Sequence, residues 1–240
     1  MIKALAGFGK TSVVARALGD ADTLHAFHLF NSAFDADSVR EADFLASMVE
    51  QLMAWQGLRE PVQATNLAWL KGRFASLLET LPARDHVAVL DGLDEINGVW
   101  DVRPYIELLR KSVRVLASAR TGGPSDEAYG FRSADVCVLG GFSIDEVKEV
   151  IAAAGPRAAS LAGDASAVAT VLKIAASEEP GVVGADPFVV RFIARDLERG
   201  DLTTETLSTV KSSGLKLDHY PIAAALDTLR PGPLLCPHTL

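Results

Sequence analysis

The run His86-Val87-Ala88-Val89-Leu90-Asp91-Gly92-Leu93-Asp94-Glu95 constrains the chain more than any other stretch. Its apolar part has the length and composition of a strand buried on both faces, as in a parallel sheet. Three carboxylates follow at once. Asp91 falls at the strand's C-terminal end, the edge where ligands of open α/β sheets bind. An Asp there supports Mg²⁺, usually through water, because Mg²⁺ takes oxygen ligands and keeps much of its hydration shell. Asp94 or Glu95 is then close enough in sequence to orient a water for attack on a phosphate. Taken alone, the run reads equally well as a buried strand and an acidic turn.

A second stretch, eighty residues upstream, gives the acids a partner. Ala4-Leu5-Ala6-Gly7-Phe8-Gly9-Lys10-Thr11-Ser12 is nearly the phosphate-binding pattern G-x-x-x-x-G-K-[ST], with Ala4 in place of the first glycine. Gly7 and Gly9 let the backbone curl so that its N–H groups form an anion nest. Lys10 is expected to reach the β- and γ-phosphates, and the Thr11 hydroxyl to ligate Mg²⁺. Ser12 to Leu18 read as a helix whose positive end faces the phosphates.

Composition narrows the classes. A chain of 240 residues, 49% apolar, suits one large globular domain or one domain plus part of a second. The net charge of −8 disfavours broad nucleic-acid binding, which wants a basic face. Cys137 and Cys236 are the only cysteines and lie far apart, which argues against a disulfide framework or a cysteine zinc site. No apolar run approaches the roughly 20 residues of a membrane helix, and the N-terminus lacks a signal-peptide core. The expectation is a cytoplasmic protein.

The pattern along the chain is strand and helix in alternation. Only Met1-Ile2-Lys3 precede the glycine turn, about 10 Å of extended chain, so the first strand is expected to be missing or vestigial. The chain reads as one that begins late. Leu24 to Asn31 is the second strand; His25 and His28 on it read as core or edge histidines rather than metal ligands. Ser38 and Glu41 are spaced as a capping box for a helix carrying Phe44, Leu45, Met48, Val49, Leu52 and Met53. Pro61 suits the first turn of the next helix, striped by Leu67, Leu70, Phe74, Leu77, Leu78 and Leu81. Pro104 starts a short helix through Leu109. Val113 to Arg120 is the next strand, ending in a polar pair, and Asp135 to Leu139 the last. An Arg at a strand's C-terminal end can contact a γ-phosphate, although a solvated arginine is as good a reading on its own.

Helices dominate thereafter. Ser143 and Glu146 form a capping box for a helix to about Ala154, Ser166 to Ser177 form a second, and Pro187 opens a third with Phe188, Val189, Phe192, Ile193 and Leu197 on one face. The expected organisation is a core over 1–141, a small helical lid over 142–211, and over 212–240 an irregular tail or the start of a truncated following domain. The expected fold class is α/β: a three-layer P-loop NTPase core with a mostly parallel sheet plus that lid.

These signals, in this order, resemble the STAND class of P-loop ATPases, nearest its NACHT and AP-ATPase branches, over residues 4 to about 200. Gly7-Phe8-Gly9-Lys10-Thr11-Ser12 is similar to the Walker A loop of the class. Asp91-Gly92-Leu93-Asp94-Glu95 is similar to the NACHT form of Walker B with its additional acids. Phe27-His28-Leu29-Phe30 resembles the second strand of the class, Ser118-Ala119-Arg120 its T-S-R sensor strand, and Asp186-Pro187-Phe188 the small-domain motif whose proline packs by the adenine. Asp186 stands where glycine or asparagine is usual, and no winged-helix domain, sensing repeat or effector domain is recognisable.

The resemblance implies a Mg²⁺-dependent ATP/ADP switch in a signalling protein, with ATP exchange driving homo-oligomerisation. It implies roles for single residues. Gly7, Phe8, Gly9, Lys10, Thr11, Ser12 and Pro187 bind nucleotide, and Thr11 and Asp91 support the metal. Glu95, or Asp94, positions water, and Arg120 senses the γ-phosphate. Two alternatives stay open: a non-catalytic remnant serving as an interaction piece, and an AAA+ ATPase of the origin-recognition type.

Overall fold

The computed structural model describes residues 1–18, 24–81, 86–176 and 183–209. The chain divides into two compact units, Met1–Gly140 and Gly141–Leu240. The expected tail over 212–240 lies outside the described residues.

The first unit is α/β. Its strands are β1 (Ile2–Ala4), β2 (Leu24–Leu29), β3 (Val87–Asp91), β4 (Arg114–Arg120) and β5 (Cys137–Val138), and its helices α1 (Lys10–Leu18), α2 (Glu41–Trp55), α3 (Leu67–Glu79) and α4 (Arg103–Leu109). The five strands form one sheet in the order β2-β3-β4-β1-β5, and every pairing is parallel. The first strand, expected to be missing or vestigial, is present in vestigial form. β1 is three residues long, yet it pairs with β4 through Ile2–Ser118 and Ala4–Arg120 and with β5 through Ile2–Cys137. So short a strand holds because both its edges are satisfied by neighbours, so its backbone polar groups find partners inside the sheet.

Alternation along β3 separates two apolar layers. Ala88 and Leu90 join Phe44, Leu45, Met48 and Leu52 of α2, Leu70, Phe74 and Leu77 of α3, and Ile106 and Leu109 of α4. Val89 faces the other way, with Ile2 and with Val14 of α1. Helices therefore lie on both faces, as a parallel sheet buried on both sides requires. Phe44 is fully buried at the centre of the larger layer, with the Trp100 ring stacked 5.4 Å away and Tyr105 edge-on at 5.8 Å. The Trp100 indole N–H donates to the Val39 carbonyl at 2.7 Å, which ties the segment after β3 to the segment after β2.

Two expected helix starts are corrected. Ser38 does not cap α2: the residue at the cap is Arg40, with no side-chain bond, and Glu41 is already helical. The Ser38 hydroxyl is used in the preceding loop, donating to the Asp35 carbonyl and accepting from the Asn31 N–H. Pro61 precedes α3 rather than opening it, because Asn66 supplies the cap by accepting from the Trp69 N–H. At α4, Pro104 does sit in the first turn, as expected.

The second unit is helical: α5 (Ile144–Ala154), α6 (Pro156–Ala162), α7 (Ala165–Ile174), α8 (Pro187–Arg199) and α9 (Thr204–Thr209). The Ser143–Glu146 capping box is formed on both sides. α6 was not visible in the pattern, since its seven residues carry a single buried position, Ala158. Asp186 caps α8 by accepting from the Phe188 and Val189 N–H groups, which accounts for an aspartate before Pro187. Val147, Ile151, Val168, Val171, Val190, Ile193 and Leu197 form the core of this unit. Among the described residues no helix is long and apolar enough to cross a membrane.

Candidate functional site

The topology explains why the glycine turn and the acids meet. β1 leads into the turn, β3 ends at Asp91, and β4 is inserted between them. All three are parallel, so the turn, the acids and Ser118 to Arg120 emerge at one sheet edge. That is the edge where open α/β sheets bind ligands.

The turn forms because two of its residues take left-handed backbone angles. Gly7 has φ 79° and Gly9 φ 81°, a region that costs an L residue about 1–2 kcal/mol. The chain then enters α1, where the Val13 N–H closes onto the Gly9 carbonyl at 2.9 Å. Ala4, at the position where the pattern has its first glycine, is the last residue of β1 and is fully buried. It is absent from the residues with positive φ, so alanine is tolerated there. Phe8 is buried, whereas Ser12 is exposed on α1.

The Lys10 ammonium donates to the carbonyls of Ala4 at 3.0 Å and Leu5 at 2.9 Å. Burial holds its pKa below the ordinary lysine range. Asp94 is the strongest influence in the opposite direction, Arg120 adds to the lowering, and Asp91 and Glu95 oppose it. The lysine, the arginine and all three acids thus share one electrostatic environment.

Thr11 and Asp91 touch. The Thr11 hydroxyl donates to Asp91 Oδ2 at 2.7 Å, joining residues 80 apart in the chain. Asp91 is buried, and its other oxygen, Oδ1, accepts from the Ser118 hydroxyl. A buried carboxylate is costly unless such donors surround it. Gly92 follows at φ 84°, and a Cβ there would run into the Phe30 carbonyl. Only glycine lets the chain turn at this point and bring the next acids back over the strand end.

Asp94 and Glu95 lie in a short 3-10 turn, Leu93–Ile96. Arg120 spans both. Its backbone N–H donates to Asp94 Oδ1 at 2.8 Å, its Nε lies 3.1 Å from Asp94 Oδ2, and its Nη2 lies 2.5 Å from Glu95 Oε1. Glu95 also accepts from the Ser32 hydroxyl at 2.7 Å. Burial, and then the charge of Asp94, push the Tyr129 phenol up to about 12.

Gly7, Gly9, Lys10, Thr11, Asp91, Asp94, Glu95 and Arg120 therefore gather at one edge. Pro187 belongs to the second unit, where it is buried at the start of α8. Ser118 and Ser32 were not assigned a role from sequence. Ser118 was visible only as the first residue of the Ser118-Ala119-Arg120 triplet that resembles a sensor strand, with no role attached to it, and Ser32 had no signal, being a loop serine with a partner 63 residues away.

The donor set fits Mg²⁺. A threonine hydroxyl and a carboxylate are hard oxygen ligands, and Mg²⁺ at phosphate sites is held by one or two such groups together with water and phosphate oxygens. Among the described residues no three or more His, Cys, Asp or Glu cluster as a self-sufficient metal cage. The exposed Cys137 stands apart on the edge strand β5. A cleft of about 690 Å³ along α2, lined by Glu50, Met53, Leu58 and Arg59 among others, shares no residue with the site.

No family model matches the chain, and no curated protein matches it.

Proposed function

We propose that the first unit is a P-loop nucleotide-binding module that takes ATP or ADP with Mg²⁺. The observation that carries this reading is the bond from Thr11 to Asp91, which brings the lysine-bearing turn and the acidic strand end to one point. In this reading the backbone N–H groups of Gly7 to Thr11 and the α1 N-terminus receive the phosphates. Lys10 exchanges its two carbonyl partners for phosphate oxygens. Thr11 holds Mg²⁺ and Asp91 supports it, and the ion, when bound, neutralises phosphate charge. Glu95, with Asp94 as the alternative, orients the attacking water, and Arg120 contacts the γ-phosphate.

More narrowly, we propose a switch of the STAND type, nearest the NACHT branch, in which nucleotide state governs homo-oligomerisation and hydrolysis is slow. The motif order supports this narrower reading. The assignment of Lys10 is tested by calorimetry of Mg-ATP with the wild type and Lys10→Ala. Loss of a charge-assisted contact costs about 1.5–3 kcal/mol, a fall in affinity of about ten- to a hundredfold. Equal affinity in both proteins overturns the assignment.

A second reading, nucleotide binding without turnover, is favoured by one observation: Glu95 is held by both Arg120 and Ser32. The Arg120 side chain is 52% exposed, and ion pairs of that kind are worth about 0–1 kcal/mol. A γ-phosphate contact with the same guanidinium is charge-assisted, of a kind worth about 1.5–3 kcal/mol, and competes with them. Release of inorganic phosphate from ATP, absent in Glu95→Gln, supports turnover; no release from the wild type supports binding alone.

A further inference from the structure

Ser118 is fully buried in the middle of β4, between Ala117 and Ala119, which are fully buried too. Apolar packing alone asks for alanine there as well, and a buried hydroxyl without partners is penalised. This one has two partners, both at the acidic strand end. It donates to Asp91 Oδ1, and it accepts from the Gly92 N–H at 3.0 Å. One donor and one acceptor function of the hydroxyl are thereby used.

The consequence lies in the plane of the Asp91 carboxylate. Its two oxygens move together, so holding Oδ1 fixes where Oδ2 points. Oδ2 is the oxygen that accepts from Thr11 at 2.7 Å. The strand register supplies the alignment: Leu90 pairs with Ala117, so Ser118 comes one step further along, level with Asp91. On its other side Ser118 pairs with Ile2 of the loop-bearing strand. A single side chain thus sits between the two halves of the site and is bonded to the metal-facing acid.

We propose that Ser118 is a positioning residue: through Asp91 it sets the oxygen geometry on which Mg²⁺-dependent nucleotide affinity depends. This rests on the nucleotide reading given above. Groups that orient a metal-facing ligand without touching the metal are typically worth about 10–100-fold in metal affinity. Ser118 is expected to act on the metal-dependent part of binding and to leave the metal-free part alone.

The experiment measures ATP affinity of the full chain by calorimetry in excess Mg²⁺ and in EDTA, for wild type, Ser118→Ala and Ser118→Thr. The readout is the ratio of the two dissociation constants. Ser118→Ala is expected to shrink the ratio by at least about tenfold, with affinity in EDTA unchanged, and Ser118→Thr, which keeps the hydroxyl, to restore it. A ratio equal to wild type in Ser118→Ala, or equal weakening in Mg²⁺ and in EDTA, overturns the proposal. Should melting show that Ser118→Ala does not fold, Ser118→Cys takes its place: a thiol is a weaker donor of similar size, and it too must reduce the ratio. Wild-type protein that binds no ATP in either buffer overturns the nucleotide reading itself. Wild-type binding that depends on Mg²⁺, with variants indistinguishable from it, overturns the role of Ser118 alone.

Discussion

Replacing Gly92 with alanine isolates the turn on which the acidic end of the site depends. Two costs add. The residue sits at φ 84°, and an L residue in that region costs about 1–2 kcal/mol. The new Cβ also meets the Phe30 carbonyl. That carbonyl cannot retreat freely, because the Phe30 N–H is bonded to the Asp91 carbonyl at 2.8 Å and the ring is buried. Overpacking of this kind adds about 1–3 kcal/mol, so the expected total is about 2–5 kcal/mol. Gly57→Ala is the matched control. Gly57 has φ 72° with nothing within 4 Å of the added carbon, so only the backbone cost of about 1–2 kcal/mol applies. Urea denaturation followed by tryptophan fluorescence reads the right unit, since all 3 tryptophans (Trp55, Trp69 and Trp100) lie in the first. The midpoint shift times the slope gives each loss. Equal losses in the two variants, or a loss below about 1 kcal/mol for Gly92→Ala, refute the steric argument.

Three further outcomes are expected. Phe44→Ala removes a fully buried ring from the aromatic cluster over the sheet and should cost about 3–5 kcal/mol; a loss under about 1 kcal/mol in the same denaturation assay contradicts that packing. His28 is buried, which lowers its pKa below 6.5 despite the opposing influence of the Ser38 carbonyl and of Asp43 and Asp35. Above that value His28 is neutral whether folded or unfolded. As pH falls below it, the unfolded chain takes the proton first and stability is lost down to the folded pKa. His28→Gln should therefore flatten stability against pH below about 6.5 by up to ~1.4 kcal/mol per pH unit, and an unchanged slope refutes the assignment. Arg120→Ala should weaken ATP binding more than ADP binding in calorimetry, because only ATP carries the γ-phosphate; equal losses contradict a γ-phosphate contact.

Legibility in the sequence followed the range of the interactions. The glycine turn was readable because left-handed backbone angles select glycine locally, and β3 because a valine-rich run ending in Asp91 has few other uses. The capped helices α5 and α8 announced themselves through Ser143, Glu146 and Pro187. Ser38 misled because a serine three residues before a glutamate is a cap only if the chain between them turns into the helix. Here Asn31 and Asp35 captured the hydroxyl first. The three-residue β1 was too short for any periodicity and exists only through its neighbours. The placement of β4 between β1 and β3, and with it the contact of Ser118 to Asp91, is a property of the topology, and no local pattern encodes it. The same holds for the bond between Ser32 and Glu95: the glutamate was legible as an acid of the site, its serine partner was not.

The central claim is that Lys10, Thr11 and Asp91 surround one triphosphate. A crystal structure of the chain with Mg²⁺ and a non-hydrolysable ATP analogue tests it most directly. The account predicts phosphate oxygens on the backbone N–H groups of Gly7 to Thr11, with Lys10 Nζ moved from the Ala4 and Leu5 carbonyls onto them. Nucleotide found elsewhere, for instance in the cleft along α2, with Lys10 still on those carbonyls, contradicts it.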